Sequence, residues 1–190
     1  MNIRRIAAAA LAGLALAGAS QLAPASAADT PVSLTVTAAG GLALSVPAPP
    51  TGSDAVDLGS VAAGSVLATA PNSLGVVRVT DTRTGILNNW IASASASALL
   101  KDGDPANATD PTKSIPAASL GYTTGSLTNV VAPSISALPT SLPSLALPLP
   151  VVTTLSVGAN TVSWNPRVVA TVLPTTLAGV YEGTVTHSVL

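Results

Sequence analysis

The stretch VTDTRTGILNNWIASASAS, residues 79–97, joins two segments that alternate apolar and small polar residues. Alternation of this kind predicts two strands connected by a loop. Only 8% of the 190 residues are charged and 2% are aromatic, yet Asp81, Arg83, two asparagines and Trp90 lie within ten residues of this connection. The connection is therefore the first place to look for both the fold and a site.

The same period of two continues along the chain. Turn signals such as Gly40-Gly41 and Pro71-Asn72 separate the alternating runs. Strands are predicted at residues 32–38, 42–46, 74–80, 90–100, 151–157, 160–164, 167–173 and 179–190. In the last run Tyr181, Val185, His187 and Val189 share one face. Seven to ten short strands without a convincing helix predict an all-β fold, an immunoglobulin-like antiparallel β-sandwich.

Residues 101–150 differ in composition, since they contain half of the 16 prolines. Proline has no backbone donor, so the stretch APSISALPTSLPSLALPLP (132–150) is predicted not to pair as a central strand. We expect residues 101–150 to be a loop and a proline-rich insertion, partly in the polyproline II conformation. The leucines of this insertion should be shielded from water, so we expect the insertion to lie along the domain.

The first residues have the pattern of an export signal. Two arginines precede an uncharged run at 6–18, and Ala-Ser-Ala follows at 25–27. This predicts a secretory signal peptide at 1–27, cleaved after Ala27 or Ala28, and a single domain at 28–190. The apolar run is too short to span a membrane, which takes about 20 residues, and no later stretch is predicted to do so. The protein is expected to be secreted, and extracellular or associated with the cell wall.

Charge and cysteine content exclude several classes of protein. Cleavage would leave five basic and eight acidic residues, a net charge of −3. Nucleic-acid binding is not expected, because it normally needs a basic stripe and stacking aromatic residues. The chain has no cysteine, so it is not a disulfide scaffold. Its core must be built from Val, Leu, Ile and Ala, because Phe is absent.

Two stretches together resemble the WxL domain of Gram-positive surface proteins. One is VTDTR with the following loop and NNWIASAS, and the other is AGVYEGTVTHSVL at 178–190. The first Trp-x-Leu motif corresponds to Trp90-Ile91-Ala92, and the second is replaced by His187-Ser188-Val189. The resemblance implies a β-sandwich held non-covalently on the cell wall, with peptidoglycan or another envelope glycan as partner. Richness in Ala, Val, Gly and Pro fits an actinobacterial source.

The candidate binding residues each allow two interpretations. Trp90 and Trp164 could stack on sugars, or could anchor a core that lacks Phe. Tyr181, on the last predicted strand, would add an aromatic contact. Asp81 and Arg83 lie two apart and share a face of an extended chain. They could hold a glycan or peptide, or could clamp the loop before Trp90 by charge-assisted hydrogen bonds.

Catalysis and metal binding are not expected. His187 is the single histidine and belongs to the candidate binding set as the replacement for the second tryptophan. Ser188 next to it points to the opposite face of a strand, and no G-x-S-x-G motif occurs. Asp102, Asp104 and Asp110 form a weak calcium candidate, although their spacing does not match an EF-hand. No cofactor is expected.

The sequence thus predicts an exported, non-catalytic surface protein associated non-covalently with the cell wall. The alternative is a structural or adhesive subunit that assembles with other surface proteins. The amphipathic run at 181–190 motivates this alternative, because such a strand could add to the edge of a neighbour's sheet.

Overall fold

The computed structural model describes residues 41–68, 73–131 and 134–190. All of them belong to one compact unit. At 129–131 and 134–139 it describes the course of the backbone alone. The predicted signal peptide with its cleavage site at Ala27 or Ala28, and the predicted strand 32–38, lie outside the described residues.

The described part of the chain is all-β, as predicted. Its helical structure is limited to two short 3₁₀ turns, Pro105–Thr109 and Ala117–Ser119. The strands are β1 (Leu42–Ser45), β2 (Val66–Leu67), β3 (Val77–Asp81), β4 (Trp90–Ala96), β5 (Leu99–Lys101), β6 (Ser114–Ile115), β7 (Leu120–Thr123), β8 (Leu127–Val131), β9 (Ser134–Pro139), β10 (Leu149–Val157), β11 (Asn160–Trp164), β12 (Arg167–Thr171), β13 (Tyr181–Glu182) and β14 (Val185–Val189). Within the described residues, no helix is long and apolar enough to cross a membrane.

The strands form four antiparallel sheets, with the orders β1-β3-β11-β8, β14-β4-β10-β9, β2-β12-β7 and β13-β5-β6. The two four-stranded sheets bury their inner faces against each other. Val79 of β3 and Val162 of β11 belong to the same core as Ala92 of β4 and Val152 of β10. Removal of apolar surface from water, at roughly 25 cal/mol per Å², drives this packing. The predicted β-sandwich is confirmed.

The period of two in the sequence decides which side chains face the core. In β3, Val77 and Val79 are buried while Arg78 between them is exposed. In β4, Trp90 and the alternate alanines are buried while Ile91 points outward. The other predicted strands within the described residues are also present, with ends that shift by a few residues. Local patterning was therefore sufficient to place them.

Two predicted strands, 90–100 and 179–190, are each divided in two at a shared corner. There the Ser97 N–H donates to the Thr184 carbonyl oxygen at 2.9 Å. Beside it, a Cβ added to Gly183 would lie 2.7 Å from a backbone carbonyl oxygen, so a side chain does not fit without movement. In the first segment β4 ends at the corner and β5 follows it. In the second segment β13 precedes the corner and β14 begins after it.

Residues 101–150, predicted to form a loop and a proline-rich insertion, also contain strands. These residues supply β6 to β9 and the first two residues of β10. Pro139 is tolerated because it ends β9, which is paired on one side by β10 and lies at the sheet edge. Pro150 lies in a central strand, but at an irregularity where the register with β4 shifts before Val152. The leucines are covered only in part, since Leu142 and Leu145 are buried whereas Leu147 and Leu149 are exposed.

Candidate interaction site

Two polar side chains of residues 79–97, those of Asp81 and Asn88, are buried, whereas Thr82, Thr84 and Asn89 are exposed. Asp81, at the end of β3, is only 1% exposed. Its carboxylate accepts hydrogen bonds from Arg83 Nε at 2.9 Å and Nη2 at 2.7 Å. The backbone N–H of Arg83 donates to the same carboxylate at 3.0 Å. This bidentate pair closes the base of the loop between β3 and β4.

The Asp81 carboxylate is ionised although it is buried. Burial opposes its ionisation, but the hydrogen bonds and charge of Arg83, with a hydrogen bond from Asn160, outweigh burial and lower its pKa. The hydrogen bond to Asp81 in turn raises the pKa of Arg83. A buried carboxylate is stable only with such partners. The geometry therefore matches a clamp on the loop, and it leaves the carboxylate no exposed oxygen for an external ligand.

Asn160, the first residue of β11, connects this ion pair to Trp90. Its Nδ2 donates to Asp81 Oδ2 at 3.4 Å and to Ser156 Oγ at 2.9 Å. Its Oδ1 accepts from Trp90 Nε1 at 2.9 Å. Trp90 is 1% exposed. Its indole is thus a core anchor with a satisfied donor, and it offers no face on which a sugar could stack.

Asn88 fastens the far side of the loop to β10. Its Nδ2 donates to the Arg83 carbonyl oxygen, and its N–H donates to the Ser156 carbonyl oxygen at 2.9 Å. Ser156 Oγ donates back to the Asn88 carbonyl oxygen at 2.7 Å. Closer to the turn, the Gly158 N–H donates to the Gly85 carbonyl oxygen at 3.0 Å. The loop is therefore held at its base and along one flank.

Two aliphatic side chains project from this held loop. Ile86 is 81% exposed and Leu87 is 78% exposed, whereas Asn88 beside them is buried. A buried asparagine beside two exposed large aliphatic side chains reverses the usual placement of polar and apolar residues. Ile86 and Leu87 are named the loop tip below. The sequence signal for it was modest, an Ile-Leu pair inside an otherwise polar connection.

The outer face of sheet β14-β4-β10-β9 adjoins the loop tip and is uncharged where its side chains are described. Its outward residues on β4, on β10 and along β14 are Ile91, Ser93, Ser95, Thr153, Leu155, Val157, Thr186, Ser188 and Leu190. Ile91 and Leu190 exchange two backbone hydrogen bonds, at 2.9 and 3.0 Å. Val157 lies beside the loop tip, because its neighbours Ser156 and Gly158 are bonded to the loop. The loop tip and this face form one surface, named the tip surface.

A second polar network crosses another part of the core. Trp164 Nε1 donates to the Tyr122 hydroxyl at 2.8 Å, and that hydroxyl lies 2.9 Å from His187 Nε2. The Tyr122 and His187 rings meet edge to face, with centroids 5.6 Å apart. Trp164 is fully buried, so it too is a core anchor. Burial raises the pKa of Tyr122 and lowers the pKa of His187 to about 4, so both are neutral at pH 7.

Tyr181 belongs to neither network. It lies on β13, is half-buried against the core, and its hydroxyl is 2.8 Å from the Leu177 carbonyl oxygen and 3.1 Å from that of Thr112. The candidate binding residues thus fall into three separate groups: Asp81, Arg83 and Trp90; Trp164 and His187; and Tyr181. Asn160 connects residues within the first group, and Tyr122 connects residues within the second. Neither has a motif that would mark it in the sequence.

The three carboxylates considered for calcium do not converge. Asp102 pairs with Lys101 Nζ at 2.8 Å, Asp104 caps the first 3₁₀ turn, and Asp110 accepts from the N–H of Thr112 at 2.9 Å. In the parts of the chain that are described, no group of three or more His, Cys, Asp or Glu residues could hold a metal ion. The weak calcium candidate was therefore wrong, because each carboxylate is used by its own turn.

The fold and the tip surface together define a class of protein. It is a β-sandwich that presents an uncharged, partly aliphatic surface beside a loop fixed by hydrogen bonds. No family model, no characterised protein and no solved structure matches the chain. What the protein binds must therefore be inferred from its own residues.

Proposed function

We propose that this chain is an exported, non-catalytic protein of the cell surface that associates non-covalently with the cell envelope through the tip surface. One observation carries the proposal: Ile86 and Leu87 are 81% and 78% exposed on a loop held by buried hydrogen bonds. Large exposed aliphatic groups that adjoin an uncharged face are typical of interaction sites. A loop that is already ordered loses little conformational entropy on binding.

The exposed side chains favour an apolar pocket on another surface protein as the partner. Stacking on sugars uses exposed aromatic rings, and Trp90 and Trp164 are both buried. Aliphatic side chains such as those of the loop tip gain most from insertion into a pocket that is itself apolar. This supports the subunit role over direct recognition of a glycan.

Binding to peptidoglycan is the second candidate, and Tyr181 is the observation that favours it. Its ring is half-buried and packs against the core, so one part of it remains accessible. The resemblance to the WxL domain would make peptidoglycan the ligand. In this case Tyr181 rather than the tip surface would provide the contact.

The absence of catalysis is proposed from the state of the one histidine. His187 Nε2 is occupied by the Tyr122 hydroxyl, whose pKa is raised by burial, so this pair is a poor base and a poor nucleophile. Ser188 lies on the opposite face of β14 from His187. These contacts are those of a structural network.

The test is co-sedimentation of the purified protein with three preparations: native cell walls, walls stripped of protein, and purified peptidoglycan. The variant Ile86→Asp with Leu87→Asp removes the aliphatic character of the loop tip. Its matched control is Leu147→Asp with Val180→Asp, which changes two aliphatic residues that are 67% and 64% exposed elsewhere. Tyr181→Ser tests the second candidate.

We expect the protein to pellet with native walls only, the loop-tip variant to stay in solution, and the control to pellet. Because all four side chains are exposed, both double variants should fold normally, which circular dichroism checks. Pelleting with stripped walls or peptidoglycan that is lost in Tyr181→Ser would support the glycan instead. Failure to pellet with any preparation would refute envelope association itself.

A further inference from the structure

The strand β14 is attached to the sandwich from one side. It is hydrogen-bonded to β4, and no other described strand pairs with it. Its three inward side chains are half-buried and lie opposite small residues of β4; the register pairs are Val185 with Ala96, His187 with Ala94, and Val189 with Ala92. The attachment therefore depends on the β4 ladder and on few side-chain contacts, of which the bond from His187 to Tyr122 is the polar one.

When the Tyr122 O–H donates to His187 Nε2, this bond requires His187 to be neutral. The indole N–H of Trp164 donates to the Tyr122 oxygen, so the Tyr122 O–H is free to donate to His187 Nε2. A proton on Nε2 would place two N–H donors at one hydroxyl oxygen. It would also remove the acceptor that the Tyr122 O–H uses. Protonation of His187 therefore leaves the Tyr122 O–H without its acceptor and weakens the attachment of β14 to the core.

No charged group offsets such a proton. β7 brings Tyr122 to His187, β4 brings Ala94, and β1, which packs near β14, consists of Leu, Ala, Leu and Ser. Among the described residues that face His187, Tyr122 alone can titrate, and burial raises its pKa and keeps it neutral. The His187 ring can therefore titrate, and no nearby negative charge stabilises its protonated form.

Release of β14 would uncover an edge that readily pairs again. β4 (Trp90–Ala96, WIASASA) contains no charge and no proline, the two features that usually protect an edge strand. The corner at Gly183 and Thr184 separates β14 from β13 and gives a point where the chain can change direction. A β14 from a second copy would restore the register with β4 and the contact between His187 and Tyr122. Exchange of an identical element is a low-cost route to an oligomer.

We propose that acidification releases β14 and that copies of this chain then exchange it, the β14 of one copy pairing with the β4 of the next. The partner is a second copy of this chain, and His187 is the group that makes the exchange depend on pH. The exchange is argued from the pairing of β14 with β4 and from the inward contact of His187, not from the exposed side chains of the loop tip, so it does not rest on the proposed function.

The first experiment is size-exclusion chromatography with light scattering. Purified protein is incubated at high concentration at pH 4, returned to pH 7 and compared with protein kept at pH 7. We expect oligomers only after acid treatment. His187→Gln, whose amide can accept from the Tyr122 hydroxyl but does not titrate, should remain monomeric. Wild-type protein that stays monomeric, or equal oligomers from wild type and His187→Gln, would overturn the proposal.

The second experiment does not depend on how the His187 variant folds. Ser93 and Ser188 are direct register partners on the outer face, and the chain has no cysteine of its own. Cα atoms of such a hydrogen-bonded pair lie about 5.5 Å apart, within disulfide range. The double variant Ser93→Cys with Ser188→Cys, oxidised before acid treatment, should stay monomeric. Oxidised afterwards, it should give covalent dimers on a non-reducing gel. Oligomers in the first case, or no covalent dimers in the second, would contradict strand exchange.

Discussion

The free energy of unfolding should fall as the pH decreases from 7 to 4, and His187 should be the cause. Burial against Tyr122 lowers the pKa of His187 from 6.5 to about 4 in the folded protein. Between these pH values the unfolded chain binds a proton at His187 and the folded chain does not, so acid favours unfolding. One pKa unit corresponds to about 1.4 kcal/mol. The lowered pKa therefore predicts a loss of about 3 kcal/mol, complete near pH 4.

Urea unfolding at half-unit steps from pH 7.5 to pH 4.5 measures this loss. Fluorescence of the two tryptophans reports unfolding, since both are buried in the folded protein. The two carboxylates with a lowered pKa do not obscure the window. The pKa of Asp81 and of Asp110 is lowered in the fold, so their stabilisation is present above pH 4 and is lost only at lower pH. His187→Gln is the control and should show a nearly constant free energy of unfolding across the window.

Two results would refute this reasoning. A wild-type free energy of unfolding that stays constant down to pH 4.5 would mean that His187 is protonated in the fold without cost. The network in which Tyr122 donates to His187 would then be incorrect. Equal pH dependence in wild type and His187→Gln would assign the effect to other groups.

Three other substitutions test the remaining contacts, each by urea or thermal unfolding. Arg83→Gln leaves the buried Asp81 without its charge partner and should lower the free energy of unfolding by about 2 kcal/mol. This is less than for a fully buried pair, because Arg83 is partly exposed. An unchanged free energy of unfolding would contradict the clamp. Trp90→Phe keeps a ring in the core but leaves Asn160 Oδ1 unpaired, and should cost about 2 kcal/mol; a loss of wall binding at unchanged stability would instead make Trp90 a ligand contact. Gly183→Ala forces a Cβ to within 2.7 Å of a carbonyl oxygen and should lower the Tm by several degrees; a constant Tm would mean that the corner adjusts freely.

Part of the site was accessible from the sequence. Asp81 and Arg83 are separated by one residue, and a contact between such close neighbours can be predicted from their spacing. The clamp on the loop was accordingly one of the two interpretations. The exposed loop tip was harder to predict, because its exposure follows from the burial of Asn88 and Asn160 rather than from any property of Ile86 or Leu87.

The segment 101–150 shows where local rules fail. Proline content argued against a central strand, because proline cannot donate to a ladder on either side. In the fold, Pro139 lies at the end of an edge strand and Pro150 at a register irregularity, so neither has to supply a ladder donor. Whether a proline meets an edge depends on the order of strands in the sheet, which local composition does not contain.

The sequence by itself determined the all-β class, the positions of most described strands and the faces they bury, because alternation with a period of two is a property of neighbouring residues. Only the tertiary structure decided that Trp90 meets Asn160 and that Trp164, Tyr122 and His187 form one network. These partners are separated by 70, 42 and 65 residues. Which of them meet is set by sheet order and register, and these result from the combined free energy of many distant contacts rather than from any local pattern.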